Sequence, residues 1–218
     1  MVQIKFKMKH LIIIGAGGMG RCICDIAKGS IGYDTEFDIK GFIDDDIHAL
    51  DEFPNYPMLL STTSEYGIEE NDVFVCSIGD TQIKRDICES LKAKGATFQS
   101  LIHHTAVVGT NTIIGNGTIV SEYAIVSPDT IIGENTLVQN FAVVGHDCKI
   151  GNYVRIDTHC TCVGGTKIND GATMHTSAVI NHKVEVGENA VIGACSFVVR
   201  KVKPNTTVWG NPARTLKF

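Results

Sequence analysis

From Ala106 to Thr207 the chain keeps a six-residue repeat without one insertion. The third position of successive hexads reads Val108, Ile114, Val120, Val126, Ile132, Val138, Val144, Ile150, Ile156, Cys162, Ile168, Met174, Ile180, Val186, Ile192, Val198 and Pro204. The first position holds mostly small residues, beginning Ala106, Thr112, Thr118 and Ala124. An amphipathic helix repeats near ~3.6 residues and an isolated strand near ~2, so neither keeps strict sixes over such a length. A parallel β-helix does. Each hexad then forms one short strand and a corner, and three hexads close a triangular coil of about eighteen residues. The branched aliphatic points inward, and the small residue two places earlier lets the chain turn without crowding the axis.

The 218 residues allow one large or two small domains. The repeat divides them into an α/β unit over residues 1–102 and an all-β unit with a C-terminal tail over residues 103–218. Apolar content of 44% with 20% charged residues is that of a globular chain with a real core. A net charge of −5 supplies no basic field for nucleic acid. The longest apolar run, Leu11 to Ile14, is far too short to span a bilayer, so no membrane partner is expected. Lys5, Lys7 and Lys9 precede only that short run, so no secretory leader is expected, and residues 1–7 read as a loose extension ahead of Met8. The eight cysteines form no C-x-x-C pair. Cys148, Cys160 and Cys162 fall in inward columns, where a thiol behaves as a small hydrophobe. Reduced, structural cysteines and a cytoplasmic location follow.

Ahead of the repeat, strand and helix signals alternate. Lys9 to Gly15 reads as a buried strand, followed by a glycine turn and a helix to about Lys28. A second strand, Phe37 to Ile43, ends on Asp44, Asp45 and Asp46. A third, Val73 to Ile78, leads into a helix from Thr81 to Lys94 that Gly95 terminates. This pattern predicts a small parallel sheet. Gly15, Gly17 and Gly20 satisfy G-x-G-x-x-G, which suggests a nicotinamide dinucleotide. That fold needs two mononucleotide halves, however, and only the first fits here. One phosphate-binding half suits a nucleotide or nucleotide-sugar. Asp44 and Asp45 could accept hydrogen bonds from its base or ribose, or could form a solvated acidic turn.

Residues eighteen apart share an edge of the coil, about 4.8 Å apart. His146, Gly164 and His182 therefore form one corner column, and Thr158, Thr176 and Ala194 another. His146 is followed by Asp147, which can fix its tautomer and raise its basicity. Gly164 could present a bare backbone N–H to an oxyanion. The opposing reading is a surface histidine at a turn. His103, His104, His159 and His175 lack such a constellation and are expected on the surface or in loops. A zinc site using His146 and His182 lacks its further histidine, since Phe141, Gly151, Ser177 and Gly187 stand at the offsets it requires; no metal is expected.

Several motifs occur in order: Leu11-Ile12-Ile13-Ile14-Gly15-Ala16-Gly17-Gly18, Phe42-Ile43-Asp44-Asp45, Ser77-Ile78-Gly79 and Leu101-Ile102-His103. The hexads follow, then Gly145-His146-Asp147-Cys148 within them, and Gly210-Asn211-Pro212-Ala213-Arg214 at the end. Together they resemble the left-handed β-helix sugar acyltransferases that acetylate nucleotide-linked amino sugars, and the related sialic acid O-acetyltransferases. The resemblance covers the chain from Lys9 onward. It implies a left-handed parallel β-helix behind a Rossmann-like domain, acetyl-CoA as donor, and a homotrimer. Gly17, Gly18, Met19, Asp44, Asp45 and Gly79 would hold the nucleotide-sugar. His146 would be the general base and Asp147 its acidic partner. Acetyl-CoA would lie between adjacent subunits near Arg155, Gly164, Thr176 and Ala194, with Gly164 facing the thioester oxygen. Members often carry His where this chain has Met19 and Arg155, which leaves the acceptor sugar and the acyl chain open. Transfer to a sugar hydroxyl, and a non-catalytic nucleotide-sugar scaffold, are the rival readings. Arg200 and Lys201 could meet coenzyme phosphates.

Overall fold

A computed structural model describes residues 7–216. The proposed loose extension lies almost wholly outside them. The chain divides into two compact units, one of residues up to Gly79 with Ile83–Gln99, the other of Asp80–Gln82 with Ser100 onward.

The first unit is a parallel sheet of β1 (Lys9–Ile14), β2 (Phe37–Ile43), β3 (Leu59–Ser61), β4 (Asp72–Cys76) and β5 (Thr97–Phe98), in the order β3-β2-β1-β4-β5. Helices α1 (Gly18–Lys28) and α2 (Thr81–Ala93) follow β1 and β4. Leu11 to Ile14 are fully buried, as are Phe42, Ile43, Phe74 and Val75 on the neighbouring strands. Both β3 and β5 escaped the sequence reading. They are three and two residues long, too short to show a period. One polar cluster pins the sheet: Asp72 accepts hydrogen bonds from Lys40, the Tyr66 hydroxyl and the Glu69 N–H. Burial alone would push the Asp72 carboxyl up, but these donors hold it below its ordinary value.

In the second unit each hexad gives a two-residue strand, and the strands sort into three faces. The first face begins with Val107–Val108 and ends with Phe197–Val198. The second runs from Ile113–Ile114 to Glu185–Val186. The third starts at Leu101–Ile102, ahead of residue 103, and continues through Arg155–Ile156 to Val191–Ile192. Register is eighteen residues in every coil but the last, as in Val143↔Thr161 and Lys149↔Lys167. The third hexad column fills the interior, with Val120, Val138, Ile156, Met174 and Ile192 fully buried.

The first column is buried too, and its polar members are not idle. Thr118, Thr130 and Thr136 each donate a hydroxyl hydrogen bond to the carbonyl fifteen residues on, of Gly133, Gly145 and Gly151. Cys160 aims its thiol at the His175 carbonyl by the same offset. A small side chain that can donate to this carbonyl is satisfied where a larger one would crowd the turn. Burial pushes the Cys160 thiol up to about 12, and raises Cys148 and Cys162 as well. These are inert interior groups, and all eight cysteines are free.

The strict sixes end earlier than the sequence suggests. Val186 bridges Val202 and Val191 pairs with Thr207, so the last coil is shorter by two residues. Pro204 therefore leaves the inward column and is exposed, while Val202 and Val208 fill the interior. The chain then folds back as a hairpin of Thr207–Gly210 and Ala213–Thr215, antiparallel where every other named strand pair is parallel.

Candidate active site

In the first unit the glycine turn joins β1 to α1 at the carboxyl ends of the parallel strands, where open α/β sheets bind ligands. Gly15 sits at φ 94°, and a Cβ there would meet Ser77 Oγ at 2.6 Å. A Cβ on Gly20 would lie 2.0 Å from the Gly15 carbonyl oxygen. Those two glycines serve the packing of helix on strand. Gly17 differs: nothing lies within 4 Å of its built Cβ, and it caps α1 with no side-chain hydrogen bond. The first N–H of α1 to find a partner is that of Arg21, bonded to the Gly17 carbonyl. The N–H groups of Gly18 and Met19 therefore point out of the helix end, as an anion requires.

Asp44 and Asp45 follow β2, and both are already engaged. Asp44 accepts from the Ala16 N–H at 2.6 Å and the Asp46 N–H at 2.9 Å. Asp45 accepts from the Thr63 N–H and hydroxyl. Asp44 thus fixes the shape of the glycine turn itself. Gly79 follows β4 ahead of α2. The sequence reading passed over Arg21, whose guanidinium lies 3.6 Å over the Phe53 ring with Nη1 3.4 Å from the Ala16 carbonyl. It brings positive charge to a turn already braced by the Asp44 carboxylate.

In the second unit the corner between the first and second faces carries His146, Gly164 and His182 on consecutive coils. Gly165 donates its N–H to the His146 carbonyl, and Lys183 to that of Gly164. His146 Nδ1 lies 2.6 Å from Asp147 Oδ2, with the side chains 64% and 67% exposed. An ionised carboxylate only accepts, so Nδ1 carries a proton, and in the neutral ring Nε2 then holds the lone pair. That Nε2 lies over Gly164, where a built Cβ would meet it at 2.5 Å. The Gly164 N–H donates no hydrogen bond among the described residues. A base and a bare donor therefore adjoin each other with no side chain between them.

Arg155, Thr176 and Ala194 lie elsewhere. Arg155 opens a strand of the third face, while Thr176 and Ala194 follow Thr158 down the corner between the third and first faces. Within one chain these positions and His146 occupy two different corners. Arg155 is tied to Asp157 by Nε at 2.6 Å and Nη2 at 3.1 Å. Two of the remaining histidines depart from expectation. His103 is buried, with Nδ1 2.8 Å from Thr105 Oγ1, and burial lowers its pKa. His175 Nδ1 lies 3.2 Å from Asp157 Oδ2. His159 is exposed and stacks on Phe141, which stacks on Tyr123. Among the described residues no cluster of His, Cys, Asp and Glu has metal-holding geometry, and no helix is long and apolar enough to cross a membrane.

A solenoid of hexads following a small parallel sheet in the chain, with a histidine–aspartate pair on one coil edge, is the arrangement of an acyltransferase of the hexapeptide-repeat type. Residues 10–91 match the PglD N-terminal domain family, and residues 129–164 match the bacterial transferase hexapeptide family. The chain is 30% identical over 210 residues to the GDP-perosamine N-acetyltransferase of Escherichia coli O157:H7, covering 94% of this chain and 95% of that one. The acetyltransferase domain of PglB from Neisseria gonorrhoeae FA1090, in complex with acetyl coenzyme A, superposes with a TM-score of 0.87. It is 28% identical, over 96% of this chain and 100% of that one. PerB from Caulobacter crescentus shares the fold at a TM-score of 0.85 and 22% identity, over 95% of this chain and 97% of that one. The chain belongs to the left-handed β-helix family of sugar acetyltransferases and is an enzyme of acyl transfer.

Proposed function

We propose that this enzyme acetylates the amino group of a nucleotide-linked amino sugar, with acetyl-CoA as donor. The observation that carries the reading is the placing of His146 Nε2 over Gly164, whose N–H donates no hydrogen bond among the described residues. The sugar amine attacks the thioester carbonyl, the new C–N bond forms, and His146 Nε2 takes the amine proton. The Gly164 N–H faces the developing oxyanion. Collapse breaks the C–S bond, and the departing thiolate takes a proton from the His146 imidazolium. Asp147 holds the ring so that Nε2 faces the reaction. Transfer is direct, since the cysteines near this edge are buried and their thiols are pushed up.

The glycine turn takes the diphosphate of the substrate, with the Gly18 and Met19 N–H groups and Arg21 as its partners. Gly79 and Asp45 complete the nucleotide side, while Asp44 acts through the Ala16 N–H. The named relative supports the substrate class, being a GDP-perosamine N-acetyltransferase. Acetyl-CoA lies along the corner of Thr176 and Ala194. Because that corner is not the His146 corner, the functional unit pairs the His146 edge of one copy with the Thr176 edge of the next, as in a homotrimer. The outward column of the first face supports such packing, reading Val107, Ile125, Val143, Thr161, Val179 and Phe197. Eight free thiols fit a reducing, cytoplasmic setting.

The test is thiol release from acetyl-CoA against a panel of nucleotide-linked 3-amino and 4-amino sugars. Turnover with one amino sugar, and none with its hydroxyl analogue, supports the reading. Ping-pong kinetics, or release only with hydroxyl acceptors, would overturn it.

A further inference from the structure

On the corner between the third and first faces, Asp157 gathers three partners. Arg155 donates to both of its oxygens, at 2.6 and 3.1 Å. Gln139 Nε2 donates to Oδ1 at 2.9 Å. His175 Nδ1 stands 3.2 Å from Oδ2. Gln139, Asp157 and His175 are eighteen residues apart, so three successive coils contribute. The Asp157 side chain is 6% exposed and that of His175 is 42% exposed. The carboxylate is thus consumed inside the edge, and the imidazole reaches outward from it. Since a carboxylate only accepts, Nδ1 bears the proton and Nε2 presents a lone pair.

The backbone beside His175 offers the opposite polarity. The N–H groups of Thr158, Thr176 and Ala194 donate no hydrogen bond among the described residues. Their carbonyls are occupied: Ser177 and Cys195 donate to Thr158 and Thr176, and the Trp209 indole N–H to Ala194. Donors spaced by one coil, about 4.8 Å, suit the carbonyl oxygens of an extended chain. The three carbonyls of that column are therefore already taken, and the adjoining His175 offers a side-chain acceptor instead. The pantetheine arm of coenzyme A is an extended chain with two secondary amides, each bringing one carbonyl and one N–H.

We infer that His175 is the acceptor for an amide N–H of the pantetheine arm, and that Arg155 is a positioning residue acting through Asp157. The inference rests on the acetyl-CoA reading above. It also gives Arg155 a role different from direct contact: its guanidinium fork closes on Asp157 and fixes the carboxylate that aims His175. Arg155 thereby orients the coenzyme side of the site from within the coil.

The test is titration of the full chain with coenzyme A and, separately, with adenosine 3′,5′-bisphosphate, together with steady-state kinetics. His175→Ala should weaken coenzyme A by about threefold to tenfold, the worth of one hydrogen bond. The KM for acetyl-CoA should rise by the same factor, with kcat within about twofold and the affinity for adenosine 3′,5′-bisphosphate unchanged. His175→Gln, whose amide oxygen can accept, should restore most of the loss. Arg155→Lys keeps the charge but loses the fork, so it should weaken coenzyme A less than His175→Ala and add nothing to it. Equal weakening of adenosine 3′,5′-bisphosphate, a fall in kcat at fixed KM, or His175→Gln as weak as His175→Ala would overturn the role of His175. A wild-type enzyme that does not bind coenzyme A removes the functional reading itself. Wild-type binding matched by His175→Ala removes the inference alone.

Discussion

The β-helix carries two histidine–carboxylate pairs, on different corners and in opposite settings. His146 and Asp147 are adjacent in sequence, both well exposed, and among the described residues no Lys or Arg pairs with the carboxylate. His175 and Asp157 are one coil apart, and their carboxylate is buried and already shared with Arg155 and Gln139. An uncompensated carboxylate can stabilise an imidazolium as it forms. One neutralised by a guanidinium has little charge left to lend, and it serves as an anchor. On the reading proposed above, the same two residue types give a base on one edge and a fixed hydrogen-bond acceptor on the other.

Substitutions that separate chemistry from architecture sharpen this contrast. The largest effect belongs to His146→Ala, which should lower kcat by about 10²–10⁴-fold while coenzyme A affinity, read by titration, stays near wild type. Unchanged turnover would break the assignment of the base. Asp157→Asn should act on the fold instead. It removes the buried charge to which Arg155 and Gln139 both donate, at a cost on the order of 1.5–3 kcal/mol in denaturant unfolding. Were Asp157→Asn to match wild type in stability, the anchor would be no anchor. Gly164→Ala should drive the imidazole off its perch, because the added Cβ would fall 2.5 Å from Nε2. Displacement of that order lowers kcat by up to about a hundredfold with the melting temperature little changed. Asp147→Asn should cost about tenfold in kcat, since the ring stays in place but loses its charged partner. If Asp147→Asn were instead to destabilise the protein and Asp157→Asn to slow it, the two pairs would have exchanged roles.

Outside the helix, pH offers a check on the first unit. Asp72 is held below its ordinary carboxylate value in the folded state, with Lys40 as one of its donors. Its contribution is complete above the unfolded carboxylate pKa and fades as pH falls through the lower folded one. Asp72→Asn should therefore lose stability at neutral pH, and its loss relative to wild type should shrink on acidification, as followed by thermal melts.

Much of this was legible in the residues, and the reasons differ by region. The solenoid showed itself because one inward branched aliphatic and one small residue recur in nearly every hexad. The His146 column followed from counting eighteens. The same count places Gln139, Asp157 and His175 on one edge, yet no adjacent pair such as His146-Asp147 drew attention to them. Asp44 and Asp45 looked available because a sequence does not reveal that Ala16 and Thr63 already use them. Arg21 went unread because nothing in the motif distinguishes a solvated arginine from one laid over Phe53. Pro204 was placed inside because a period carried to its end cannot foresee the two residues dropped just before it.

Those two missing residues have a further consequence. A coil that repeats in strict register offers a new coil, or a neighbouring molecule, the same row of unpaired backbone groups it offered the last. Such a row invites end-to-end growth. By shortening one turn and doubling back as an antiparallel strand, the chain presents a last rung that the next rung cannot copy.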